Sequence, residues 1–160
     1  MLQLKVCELD RRVAAGQPWR MSNAQLFQYA NLAALAGWVL LAIAPLNRRW
    51  TVIGARLVVA ALCGGYLALL ATGLVRGGVP DGAGFTSLEG VRLLLSSPAA
   101  LLAGWVHYLA FDLFAGSWEA EVAPTSRVPH WMLLPCLALT FLAGPVGLLL
   151  FLILKAVRQK

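Results

Sequence analysis

The run PHWMLLPCLALTFLAGPVGLLLFLIL, Pro129 to Leu154, holds no Asp, Glu, Lys or Arg, and Lys155, Arg158 and Lys160 close it. A bilayer core of about 30 Å needs about 20 helical residues to cross it, so a stretch this long and this apolar reads as a transmembrane helix. Within it, Pro135 and Pro145 each remove a backbone donor and leave the carbonyls of Trp131 and Phe141 without their helical partners. Kinks or cavities are expected there. Gly144 and Gly147 flank Pro145 and permit the close approach of another helix or of a flat apolar ligand.

Three more apolar blocks qualify as spans, about 24–46, 51–75 and 98–115, against 129–154 for the last. The first follows Ser22 and Asn23, both good helix caps, and stops at Pro45 and the Asn47, Arg48, Arg49 cluster. The connection to the second is so short that the two must form an antiparallel hairpin. Arg56, the one charge in the second block, lies near enough to its end to snorkel to the interface. The longest loop, Arg76 to Ser97, is glycine-rich and has room for a short surface helix from Ser87 to Leu95. Between the third and fourth blocks lies the polar segment Gly116 to Arg127. The fold class read from this pattern is all-α, an integral membrane bundle of four transmembrane helices at 24–155, with a polar segment 1–23 before it and a basic tail 156–160 after it.

Composition agrees. The chain is 60% hydrophobic and 12% charged, with a mean hydropathy of +0.75, whereas an ordinary soluble domain carries about 25% charged residues. The net charge of +6 does not indicate nucleic acid, because the basic residues flank the apolar blocks instead of forming a stripe with interleaved aromatics. Four crossings put both termini on one side. That side collects Lys5, Arg11, Arg12, Arg20, Arg76, Arg92, Lys155, Arg158 and Lys160, and the other only Arg48, Arg49 and Arg127, so both termini are expected in the cytoplasm. Cys7, Cys63 and Cys136 have no CxxC spacing, and neither a disulfide framework nor a zinc site is indicated. The polar first 20 residues do not read as a cleavable signal peptide, which leaves the first span as the insertion signal.

Ionisable groups inside a span are costly, at least ~2.5 kcal/mol on insertion scales, and are functional-site candidates by default. They gather between His107 and His130. On a helix Tyr108, Asp112, Ala115 and Glu119 share one face, with His107 about 100° round from Tyr108, and Gly116 is a place where that helix can break. His130 follows Pro129 at the start of the fourth span, on the membrane side of Glu119. Two histidines and two carboxylates converge if the third and fourth helices are neighbours. Each also has a plain structural reading: Asp112 bonded to Tyr108 or to an adjacent helix, Glu119 and Glu121 solvated at the interface, and His130 a cap. Without HxxxH or HExxH spacing no metal is expected. Trp105, Phe111 and Trp118, with Gly144 and Pro145, are candidate walls of an apolar pocket, although an interfacial aromatic belt accounts equally for Trp118 and Trp131.

The runs HYLAFDLFAGSWE (His107 to Glu119) and PCLALTFLAGPVGLLLF (Pro135 to Phe151), with Arg127, Pro129 and His130 between them, resemble the abscisic-acid-deficient-four family, whose plant members are associated with neoxanthin synthesis. Phe27, Ala30, Asn31, Ala34, Gly37, Trp38 and Pro45 fit the same pattern more loosely, and AEVAPTS (Ala120 to Ser126) departs from it. With no evident chloroplast transit peptide, a bacterial member in an inner or photosynthetic membrane is expected. The resemblance implies a carotenoid-related protein isomerising a xanthophyll epoxide to an allene, with a bound carotenoid and no other cofactor. An acid protonates the epoxide oxygen and a base removes a proton from the adjacent chain carbon. Asp112 is the candidate acid, His107 or His130 the base, and Tyr108 a group that orients the substrate. The competing reading is a non-enzymatic transmembrane subunit that binds a pigment or another isoprenoid, or stabilises a larger membrane complex or homo-oligomer through its small-residue faces. Transport is a weaker third reading, since no internal repeat is present.

Overall fold

The computed structural model describes residues 21–77 and 80–159. The N-terminal segment with Lys5, Arg11, Arg12 and Arg20 lies outside them, as does Lys160. The described residues are helices and their connections: α1 (Asn23–Ala42), α2 (Arg48–Gly77), α3 (Leu88–Leu94), α4 (Pro98–Val122) and α5 (His130–Arg158). All except α3 are long and apolar enough to cross a membrane.

Local chemistry explains the boundaries. Ser22 caps α1 in a reciprocal capping box with Gln25. Pro45 ends it in a single 3-10 turn, Ala44–Leu46, and α2 begins at once. Ser87 caps the short α3, and Ser97 caps α4 ahead of Pro98 in its first turn. On α3 the Arg92 guanidinium holds the Glu89 carboxyl below its ordinary range. Helix α4 does not break at Gly116 but runs on to Val122. There the glycine is needed for packing, because a Cβ would sit 2.6 Å from the Trp38 ring of α1. One helix therefore carries the whole face from Tyr108 to Glu119.

The decisive departure is in α5. Pro135 is accommodated without a break, but at Ala143 the backbone leaves helical geometry (φ −155, ψ 70), joining two helices across a sharp fold just before Pro145. Beyond it the chain turns back. The position of a Cβ on Gly147 falls on the Thr140 backbone and the Cys136 carbonyl. Arg158 Nε donates to the Arg127 carbonyl at 3.3 Å, and Gln159 Nε2 to Ser126 Oγ at 3.5 Å. The end of α5 thus lies beside its beginning. At 1.5 Å per residue each arm is on the order of 20 Å long, so α5 is a helical hairpin whose tip, Leu142 to Gly144, stands at mid-bundle.

Three contacts define the end of the bundle from which α5 dips: His130 Nε2 against the Ala42 carbonyl (2.8 Å), Arg48 on the Ala120 carbonyl (2.7 Å), and the Arg158 contact above. The start of α1, α3 and the start of α4 occupy the other end. The fold at Ala143 places the end of α5 beside its start, at the end of the bundle away from the start of α1. Lys155 and Arg158 lie at the end of the bundle that also holds Arg48 and Arg127.

Helix α4 is central and packs on α1, α2 and α5. Leu41, Leu113, Leu133 and Phe151 are fully buried among them. Most remaining large apolar side chains face outward, as the bilayer requires.

Candidate functional site

Folding α5 at Ala143 strips backbone groups of their helical partners within the bundle. Pro145 has no N–H to offer the Phe141 carbonyl, and the neighbouring Leu142 carbonyl accepts instead from the Tyr108 hydroxyl of α4 at 3.3 Å. One turn further along α4, the half-buried Asp112 carboxyl lies beside Tyr108 and directly against Gly144, where any side chain would overlap it. Its Oδ2 is buried and has no hydrogen-bond partner among the described residues. Tyr108, Asp112, Gly144 and Pro145 are therefore brought together where α5 is broken, in the manner of discontinuous transmembrane helices that carry binding sites.

Two turns along the same face, Glu119 is fully buried. Thr140, equally buried, donates to Glu119 Oε1 at 2.9 Å, and Glu119 Oε2 has no partner. This bond ties the inbound arm of α5 to α4, and Gly147 of the outbound arm presses on Thr140. Sequence reasoning missed Thr140. Its signal was present, since it is the single hydroxyl in the apolar run Pro129 to Leu154.

An apolar groove of about 610 Å³ leads to the Tyr108 side of this arrangement from the opposite end of the bundle, lined by Phe27, Leu95, Pro98, Leu101, Trp105 and Tyr108 among others. Phe27, Trp105 and Tyr108 form a stepped aromatic ladder with centroid separations of 5.7 and 5.4 Å. Trp105 is held by its Nε1 donating to Asn31 Oδ1 at 3.2 Å.

The histidines stand apart. His107 is exposed, stacked on Phe111 at 4.6 Å and facing Tyr66 of α2 at 5.4 Å. It lies well round the helix from Asp112, as 100° per residue requires. His130 joins the start of α5 to the end of α1. Trp118 packs edge-on against Phe151 and lies under the Lys155 ammonium, and Glu121 pairs with Arg56. Phe111 is exposed on the outer surface of the bundle. Among the described residues no group of three or more His, Cys, Asp or Glu side chains is placed to hold a metal ion.

The profile of the ABA DEFICIENT 4-like family matches residues 25–151, from α1 through most of the hairpin. The chain belongs to the ABA DEFICIENT 4-like family. Both halves of the site fall inside the matched region: the carboxylates of α4 and the broken helix that faces them. No curated protein and no solved structure matches the chain.

Proposed function

We propose that this member of the ABA DEFICIENT 4-like family is a carotenoid-related membrane protein that isomerises a xanthophyll epoxide within the bilayer of a bacterial inner or photosynthetic membrane. The observation that carries the reading is the Asp112 carboxyl, its buried Oδ2 without a hydrogen-bond partner, packed against the broken α5 and beside Tyr108, which lines an aromatic groove. The groove suits a flat polyene, and family membership supports the pigment class.

The reaction is redox-neutral. The protonated Asp112 carboxyl gives its proton to the epoxide oxygen, the C–O bond at the ring carbon next to the chain opens, and positive charge develops on that carbon. Loss of a proton from the adjacent chain carbon forms the allene and leaves a hydroxyl on the ring. Since neither histidine stands beside Asp112, its own carboxylate takes up that proton and returns to the acid form. The Tyr108 hydroxyl hydrogen-bonds the substrate oxygen. An apolar surround favours a carboxyl able to serve both roles, because it excludes water that would trap the cation.

The test is the pigment profile of membranes supplied with a xanthophyll epoxide, together with the absorption spectrum of the purified protein, compared between wild type and Asp112→Asn. Wild type yields the allene, while the variant accumulates in the membrane and leaves the epoxide unchanged. Near wild-type conversion by the variant excludes Asp112 from this role. No conversion by either, with pigment or other subunits co-purifying, transfers the assignment to a non-enzymatic subunit.

A further inference from the structure

The return of α5 gathers cations that are scattered along the sequence. Arg158 reaches the Arg127 carbonyl, Gln159 reaches Ser126, and Lys155, one turn before Arg158, sits 5.3 Å from the Trp118 ring centroid. Arg127 and Arg158 are exposed and Lys155 is half-buried. Among the described residues none of the three meets a carboxylate, for Glu119 is bonded to Thr140 and Glu121 to Arg56. Arg127 adopts the left-handed region (φ 56), where glycine is the unstrained choice, so this turn does not itself call for an arginine. Trp131, 71% exposed at the same end, marks the level of the membrane interface. Below the cations the outbound arm presents exposed Leu149, Leu152 and Ile153.

We propose that Arg127, Lys155 and Arg158 form a headgroup site for an anionic phospholipid, whose acyl chains lie along Leu149, Leu152 and Ile153. The guanidinium groups suit a phosphodiester, which they can hold with paired charge-assisted hydrogen bonds. The aromatic and basic residues meet the lipid at the depth where its phosphate resides. This assignment is independent of the pigment chemistry, since the site opens on the end of the bundle opposite the mouth of the groove.

The experiment is thermal unfolding of the full chain in neutral detergent with added phosphatidylglycerol, phosphatidylcholine or sodium phosphate. A lipid bound only by the native state raises the apparent Tm. Phosphatidylglycerol is expected to raise it well above the effect of phosphatidylcholine at equal mole fraction, with no comparable response to phosphate. The double variant Arg127→Gln, Arg158→Gln is expected to lose at least about half of that shift while melting like wild type in phosphatidylcholine, and Arg92→Gln, at the far end, to retain it. Equal protection by the two lipids, an unaltered response in the double variant, or an equal loss in Arg92→Gln overturns the proposal. Equal protection by phosphate overturns it in favour of a soluble anion. If the double variant does not fold, Lys155→Gln, which disturbs no backbone contact, decides by the same comparison.

Discussion

A methyl group added at Gly144 would occupy the position of an Asp112 carboxyl oxygen. Gly144→Ala therefore forces the carboxyl off the fold of α5. The expected result is protein that still inserts, destabilised by about 1–3 kcal/mol as overpacked sites are, with conversion of the epoxide lost alongside the geometry. Thermal unfolding and the pigment profile, read on the same preparation, check both parts. Thr140→Val leaves a buried carboxyl with neither oxygen partnered and costs about 1–3 kcal/mol. Glu119→Gln keeps an acceptor for the Thr140 hydroxyl and is expected to cost distinctly less, so a larger loss in the glutamine variant would contradict the pairing. The candidates Asp112 and Pro145 were legible because a charge or an imino acid inside an apolar run is conspicuous, Tyr108 through its helical spacing from Asp112, and Gly144 through its place beside Pro145. The separation of His107 from Asp112 follows from helical geometry, but the distance of His130 from both depends on how α1 and α5 pack, on which spacing is silent.

Single elements behave as their caps and prolines direct, except where one backbone break redirects a helix. Length and hydropathy describe α5 well and say nothing about its direction, because a folded apolar helix and a straight one have the same composition. Its return can be tested with single cysteines in a background lacking Cys7, Cys63 and Cys136. Thr125→Cys and Gln159→Cys, both at exposed positions, should react with a membrane-impermeant thiol reagent from the same face, and Asn23→Cys from the opposite one. Labelling of the cysteines at 125 and 159 from opposite faces would establish a full crossing instead. The continuation of α4 through Gly116 has a comparable origin. Glycine lowers helix propensity by about 1 kcal/mol, yet close packing of Trp38 against that position holds the helix together.

Across the whole molecule, α1 and α4 approach closely through Gly37 against Leu113 and Gly116 against Trp38, and Trp38 also packs on Phe141 at 5.7 Å, next to the hairpin tip. This contact links the rim of the bundle to the site. Gly116→Ala is expected to lower stability by about 1–3 kcal/mol and to reduce epoxide conversion even though residue 116 touches no substrate; an unchanged melting temperature with unchanged conversion would show that α1 does not brace the hairpin. Composition and local pattern specify that the chain is helical, that it belongs in a bilayer, where its helices begin, and that its unusual chemistry lies on α4 and around Pro145. Burial of apolar surface and the cost of intramembrane charge are written in composition and can be read locally. Three facts emerge from packing alone: α5 returns, Asp112 and Tyr108 share its fold while both histidines do not, and Arg158 reaches the Arg127 carbonyl. Those facts depend on which unsatisfied backbone groups and small residues find one another across distant segments, and no local period in the sequence encodes that pairing.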